Sequence, residues 1–404
     1  MIWQMSWRNI WRNRRRTAVI LAAVVIGVWA MIFLGALMRG IADQMVRNGI
    51  KTLTGHLQVQ AEGFRSDPVI ENRIRKPGRV LAAMQSLPSG AFWAPRLQVS
   101  GVAANARHSE GITLVGIDPA REAKVSFIGG AVKAGRYLNE HDPDAILVGK
   151  ALLERFETRP GHKLVLMAQN ATGKIASRAF RITGVYRAEL ESTEKQFVFI
   201  TLPAAQSMLG VDHDLSEVAV LLSARSQVAP VAAELARRLP GLVVLTWQQL
   251  LPLVSAVLKM YDGFILFWFL AVFLAMAFGL VNTILMAVFE RVREFGLLRA
   301  LGMKPQLVVA EVLAESFFLL VLGTAAGNLL AFLAIRGLSG SGIDLSAFAA
   351  GLEYAGMGRV IYPVLLARDM IVANLTVFVL GLLVSIYPAV KAARFSPVEA
   401  MARQ

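Results

Sequence analysis

Cysteine is absent from all 404 positions, so the chain has no disulfide framework and no thiol chemistry, a condition compatible with either side of a membrane. Charge is scarce as well. Only 17% of residues are charged against 55% hydrophobic, too apolar for one soluble domain and indicative of a membrane protein with a sizeable soluble part. Acidic residues are outnumbered, 28 against 42 basic, which leaves a net charge of +14. Such a surplus suits nucleic acid, but the basic residues sit where membrane topology wants them, so no nucleic-acid partner is expected. The five histidines (His56, His108, His141, His162 and His213) are dispersed without ligand spacing, and no metal is expected. No G-x-S-x-G elbow occurs, and there is no P-loop. Gly149 with Lys150 and Gly173 with Lys174 lack the upstream glycine and the following Ser or Thr. The chain is therefore not expected to be an enzyme by itself.

What is abundant is apolar sequence in long runs. Residues 17–38 carry no charge and as a helix reach about 33 Å, enough to span a bilayer. Residues 263–289 are uncharged although Asn282 sits among them, 312–335 contain only Glu315, and 370–390 contain no charge. Ahead of the first run, Trp3, Trp7, Ile10 and Trp11 share one helical face, while Arg8, Arg12, Arg15 and Arg16 gather on the other. Residues 1–16 thus read as an amphipathic helix on the membrane surface, indoles at headgroup level. A secretory signal would have a shorter apolar core and a small-x-small cleavage site, so the first run reads as an uncleaved anchor. Arg8, Arg12, Arg14, Arg15, Arg16, Arg291, Arg293, Arg299, Lys304, Lys391, Arg394 and Arg403 outnumber Glu290, Glu294 and Glu399 at the proposed inner side. The positive-inside rule then puts both termini (with the tail 391–404) and residues 290–304 in the cytoplasm of a multi-pass inner-membrane protein.

Residues 39–262 must then be external, large enough for a core of their own and for two subdomains. Residues 39–51 and 247–262 read as helices continuing the flanking spans, a stalk. Strands are expected at 56–60, 92–105, 217–222 and 242–246, with helices at 78–87 and 227–239. Two β-α-β units flanking an insert suggest a split ferredoxin-like layer. The insert, 106–214, reads as strands at 112–117, 146–149, 163–168, 177–185 and 197–200, with a turn at 170–174.

The stretch 282–315 is different in kind. Its charges and its apolar residues Val292, Phe295, Leu298, Leu297 and Leu301 fall at helical spacing, an amphipathic helix pinned between two spans. Gly302 can end it and Pro305 can open the next helix. Such a helix either lies on lipid or docks a soluble motor, and its mixed charge suits the second better. Glu315, one turn from Glu311, is expected to snorkel or to pair with a basic residue of the adjoining loop. Gly323, Gly327, Ala331 and Ala334 make a small-residue stripe that lets another helix approach closely.

Glu290, Arg291, Arg293, Glu294, Gly296, Leu298, Arg299, Ala300, Gly302 and Glu315 resemble the core motif of the FtsX-like permease domain, found in ABC transporter subunits of the MacB and lipoprotein-releasing (LolC/LolE) kind. Tyr387, Pro388, Ala389, Ala392, Ala393, Arg394, Pro397, Val398, Glu399 and Ala400 resemble the family's closing pattern. The resemblance implies an α-helical membrane protein with four transmembrane helices and a large α+β periplasmic domain between the first and second. That domain would have a Porter-like part split by a Sabre-like insert, to which 146–153 and 198–209 look similar. It implies a loop at 336–369, and within it Leu338, Ser339, Gly340, Ser341 and Gly342, faintly like an ABC signature, read as a flexible turn. It also implies a separate cytoplasmic ATPase in two copies that binds ATP and Mg, no cofactor in this chain itself, and a second permease, identical or related, with the glycine stripe as a seam. Coupling to the ATPase would fall to Glu290, Arg291, Arg293, Glu294, Phe295, Gly296, Leu298, Arg299, Gly302 and Glu315, with Val292, Phe295 and Leu298 filling a groove on it. Phe33, Leu34, Leu37, Phe264 and Phe267, near the outer ends of the first two spans, are candidates for meeting the acyl chain of a lipoprotein or other amphiphile. Efflux through an adaptor and an outer-membrane duct, and FtsX-like regulation of cell-wall hydrolases without transport, stand as alternatives. The loop before the last span, with Ile361, Tyr362, Pro363 and Asp369, leans toward lipoprotein release.

Overall fold

The computed structural model describes residues 2–344 and 360–395; Ser396, Pro397, Val398, Glu399, Ala400 and Arg403 lie outside the described residues, as does the middle of the loop 336–369. The chain forms two compact units. One comprises Met1–Asp43, Val257–Ala347 and Arg359–Gln404, and the other Gln44–Ala256 with Phe348–Gly358.

Helix α1 (Ile2–Arg12) is followed after one residue by α2 (Arg14–Gly49). A π-helical turn, Ile50–Thr54, ends α2, and inside it Leu53 sits at φ 122°, a conformation a branched side chain resists. The second unit then builds on a ten-stranded sheet. Its strands are β1 (Leu57–Ala61), β2 (Phe92–Ala104), β3 (Ser109–Ile117), β4 (Val132–Gly135), β5 (Ala145–Gly149), β6 (Lys163–Gln169), β7 (Ile175–Tyr186), β8 (Phe197–Thr201), β9 (Glu217–Leu221) and β10 (Leu242–Thr246). Its helices are α3 (Gly78–Gln85), α4 (Pro119–Val125), α5 (Ile128–Ala131), α6 (Lys150–Arg155), α7 (Glu191–Gln196), α8 (Leu202–Leu209), α9 (Val228–Arg238) and α10 (Trp247–Leu250).

The two β-α-β units read from the sequence, β1-α3-β2 and β9-α9-β10, interleave as β10-β1-β9-β2, all antiparallel. The insert does not make a sheet of its own. The 13-residue β2 pairs β9 through Phe92–Arg96 and then runs on to pair β3 through Arg96–Ala104, and β6 through Gly101–Ala104. From β3 the sheet continues through β8, β5, β7 and β4. Alternation of apolar and polar residues along β2, β6 and β7 supplies one core, with Leu97, Val99, Leu166, Phe180 and Ile200 closed to solvent. A second gathers Leu53, Ile117, Leu147, Tyr186 and Phe199.

At the strand crossing, Arg96 is wholly buried. It pairs with Glu122 of α4 through two hydrogen bonds (2.9 and 2.8 Å) and with Glu217 of β9 at 2.9 Å. Its Nη1 also donates to the Leu53 carbonyl, so the strained turn is anchored by a satisfied buried ion cluster.

The first unit is completed by α11 (Pro252–Glu290), α12 (Val292–Ala300), α13 (Pro305–Ser341) and α14 (Ala367–Ala393). Four helices, α2, α11, α13 and α14, are long and apolar enough to cross a membrane. Even the 27-residue α14 reaches about 40 Å, more than the roughly 30 Å hydrocarbon layer demands. Val24 and Met31 of α2, Phe269 and Leu280 of α11, Leu320 of α13 and Val377 of α14 share one core. The small-residue stripe of α13 is occupied within the chain. A Cβ on Gly323 would stand 2.5 Å from Val24, and one on Gly327 2.7 Å from Val28. The seam expected for a second permease is thus filled by α2 of the same chain, because valine side chains need the room that glycine leaves. The turn expected at Leu338–Gly342 is helical instead: α13 runs to Ser341, and Gly342 ends it at φ 68° while its N–H donates to the Leu338 carbonyl at 2.8 Å.

Candidate functional site

The junction between α11 and α13 gathers most of the charge at its end of the helical unit. α11 breaks at Arg291 (φ −105°, ψ 10°), and α12 starts at Val292. Gly302, at φ 94°, supplies the left-handed step after α12, and its N–H donates to the Arg299 carbonyl at 3.0 Å. Pro305 then opens α13.

Arg291 is 5% exposed and is held by three carboxylates: Glu294 at 3.0 Å, Glu311 at 2.7 Å and Glu315 at 2.6 Å. Its guanidinium also lies 4.8 Å from the centre of the Phe295 ring. The cluster reaches α1 as well, where Asn9 donates to Glu311 (2.9 Å), Ser6 to the Glu311 carbonyl (3.3 Å) and Arg12 to Glu294 (2.7 Å). Burial pushes the Glu294 carboxyl upward, but the hydrogen bonds from Arg12 and Arg291 outweigh it and hold it below its ordinary value. Arg16 adds a looser pair with Glu290 at 3.5 Å. On α1 the Ser6–Ile10 face is buried, while Trp3, Trp7 and Trp11 stay exposed, Trp3 edge-on to Phe317 and Phe318.

The far end of α12 is fastened separately. Arg299 Nη1 donates to the carbonyl of Ala393 (3.0 Å), one of the orphan acceptors at the end of α14, and to that of Phe395 just beyond it. A cation there also suits the helix dipole. α12 is therefore tied to α1 and α13 by one arginine cluster and to α14 by another arginine.

The ten residues expected to couple divide into two sets. Arg291, Phe295, Gly296 and Glu315 are buried within the chain, and Leu298 and Arg299 are half-buried. Glu290, Arg293, Glu294 and Gly302 remain exposed. Of the three residues expected to fill a groove on the ATPase, Val292 (5% exposed) and Phe295 (1%) are buried within the chain and Leu298 is half-buried. The open apolar positions are Leu297 (56%) and Leu301 (78%), one turn apart and flanked by Arg293 and Lys304. Both stripes of α12 are apolar, so periodicity alone does not choose which one packs inward. The sequence reading also passed over Asn9, Arg12 and Glu311 as members of the site. Glu311, one turn from Glu315 and opposite a basic loop, carried the only signal.

At the other end of the helices, Arg39 of α2 holds Asp369 of α14 through two bonds (2.7 and 3.0 Å) and Asp262 of α11 at 2.6 Å. Near this clamp lie the candidate cargo contacts. Phe33, Leu34 and Leu37 are half-buried, with Phe33 stacked on Trp29 at 5.4 Å, while Phe264 (54%) and Phe267 (67%) are exposed with ring centres 6.4 Å apart. Deeper in the bundle, Asn328 of α13 and Asn374 of α14 exchange amide hydrogen bonds of 2.7 and 3.0 Å.

Four apolar helices long enough to span, a large α+β unit between the first and second, and a charged junction helix define a membrane protein of the ABC-permease class. Residues 17–238 match the MacB-like periplasmic core domain and residues 265–397 the FtsX-like permease C-terminal domain, and the chain belongs to this permease family. It is 22% identical to an ABC transporter permease of Methanocaldococcus jannaschii, over 98% of this chain and 96% of that one. It is 23% identical to the lipoprotein-releasing system transmembrane protein LolC of Xylella fastidiosa, with 96% of each covered. With the pyoverdine export ATP-binding/permease protein PvdT of Pseudomonas fluorescens it shares 24% identity over 98% of this chain and 58% of that protein.

Proposed function

We propose that the chain is the mechanical subunit of an ABC transporter in the inner membrane, driven by a separate cytoplasmic ATPase that binds ATP and Mg. α12 is the surface on which that ATPase pushes. The observation that carries this reading is the asymmetry of α12: it is fixed to α13 through Arg291, to α14 through Arg299 and to α1 through the Arg12–Glu294 pair, while Leu297 and Leu301 stand open among Arg293, Glu294 and Lys304. A helix so held moves its neighbours when displaced. α2 and α11 each have residues in both units, so displacement of either in the membrane is felt in the Porter-like and Sabre-like parts of the external unit. Two ATPase copies and a second permease complete the machine, and both termini lie in the cytoplasm. The work done outside is release of a lipoprotein or movement of another amphiphile, met at Phe264 and Phe267 with Phe33, Leu34 and Leu37 beside them. The LolC likeness, which takes in 96% of that protein against 58% of PvdT, supports this reading; efflux with an adaptor and regulation of cell-wall hydrolases are the alternatives.

The test is the double variant L297E/L301E, purified with the cognate ATPase. Both side chains are exposed, so the fold survives, and the expected result is loss of ATPase from the complex. An apolar anchor in a desolvated pocket is typically worth about 2 kcal/mol or more, while rim contacts matter little. Retention of stoichiometric ATPase and native turnover would refute the docking role of α12.

A further inference from the structure

A groove of about 740 Å³ runs along the last stretch of α14, on a face that no other element among the described residues lines. Leu383, Ile386 and Val390 form its apolar wall, and Tyr387, Lys391 and Arg394 close one end. Leu383 is 55% exposed, Ile386 41% and Tyr387 58%, so the stripe is open along its length. An apolar stripe on a spanning helix is ordinary lipid contact. Its closed end is not.

At this end of the helices Arg12 and Arg16 pair with Glu294 and Glu290, Arg291 with three carboxylates and Arg299 with two carbonyls, while Arg8, Arg14, Arg15 and Arg293 have no ion pair among the described residues. Lys391 and Arg394 have no carboxylate within ion-pair distance among the described residues. Lys391 is instead flanked by rings, 5.5 Å from Phe289 and 5.8 Å from Tyr387, and Phe289 meets Phe395 at 5.9 Å. Two cations one turn apart, framed by aromatics from α11 and from both sides of the α14 end, stand above an apolar channel. From Leu383 to Lys391 the helix rises about 12 Å, within the roughly 15 Å depth of one leaflet's hydrocarbon.

We infer that this groove binds one anionic phospholipid, its phosphate between Lys391 and Arg394 and an acyl chain along Leu383, Ile386 and Val390. A zwitterionic lipid would bring its own cation to the same two side chains and gain less. Charge complementarity, with the apolar channel running from headgroup level into the leaflet, selects a lipid over a second copy of the chain, which would have to place an acidic patch there.

The experiment uses the full chain, delipidated in detergent and titrated with phosphatidylglycerol or phosphatidylcholine, with bound lipid counted by native mass spectrometry. Wild type should retain one phosphatidylglycerol with a preference of roughly tenfold over phosphatidylcholine at low salt, weakening as ionic strength rises. K391E/R394E should lose the preference, and the milder K391Q/R394Q should reduce it, which guards against a fold defect in the first. R368E, exposed at the opposite end of α14, should keep it. Equal binding of both lipids by wild type would overturn the assignment, as would an unchanged preference in both Lys391/Arg394 variants. A change of oligomeric state without a change in bound lipid would assign the face to a second copy and overturn it too.

Discussion

Arg291 holds one charge among three carboxylates, and its removal would leave Glu311 and Glu315 facing each other on one turn of α13 with only Asn9 as donor. Breaking a buried pair from one side costs about 3–5 kcal/mol. R291M should therefore lower the melting temperature of the detergent-solubilised chain markedly, and adding E315Q should recover part of the loss. R293M, at an exposed position, should stay within about 0.5 kcal/mol of wild type. Equal melting of R291M and R293M would show that the cluster contributes nothing to stability. A different residue, His56, contributes to acid sensitivity in the sheet unit. His56 accepts a hydrogen bond at Nδ1 from the Leu222 N–H (3.0 Å), and burial, then repulsion from Arg225, lowers its pKa below the ordinary 6.5. The unfolded chain therefore takes up this proton first as pH falls. The stability His56 contributes is present in full above 6.5 and is lost as pH drops through its lowered folded value. The protection of the Leu222 amide, its hydrogen exchange taken relative to the intrinsic rate at each pH, should fall between pH 7.5 and pH 5 in the wild type, and H56Q should flatten that dependence.

Among the elements, α12 shows how far a sequence can be read and where reading stops. Its existence, its end at Gly302 and the proline start of α13 are local events, fixed by residues within a turn of each other. Its orientation is not local. Val292 and Phe295 compete with Leu297 and Leu301 for the core, and the winner is decided by what α13 and α14 offer. The glycine stripe has the same character, since spacing shows that something approaches closely and only the fold shows that it is α2. The strands fared better where alternation or a short apolar run marks them, as in β6 and β5, while the short β4 carried no such mark and was not expected. The pairing of β2 with three partners, however, mixes ranges: β3 follows it directly in the chain, whereas β6 and β9 come from far downstream, β9 from more than a hundred residues away. The contact between α13 and α14 yields its own prediction. N328L leaves Asn374 without its reciprocal partner, and N374L does the same to Asn328, so each single change should destabilise. The double change should cost less than their sum, with a coupling of roughly 0.6–1.7 kcal/mol by a double-mutant cycle in detergent. A coupling of zero would mean that the amides find other partners.

For the whole molecule, the lack of cysteine turns orientation into a clean experiment. Ser109 at the start of β3 and Ala300 at the end of α12 are both exposed. With single cysteines there, an impermeant thiol reagent should label S109C in intact spheroplasts and A300C only after lysis. Labelling of A300C in intact cells would invert the proposed topology and remove α12 from reach of a cytoplasmic motor.

The shared strand β2 bears on how such proteins can be recombined. Because its distal half, Arg96–Ala104, is flanked by β3 and β6, the insert is not a cassette that can be lifted out at its loops. Excising it would strip one strand of both neighbours and leave a long bare edge open to aggregation. A chimera that borrows a relative's insert has to bring the matching half of β2 with it, with the graft points inside a strand.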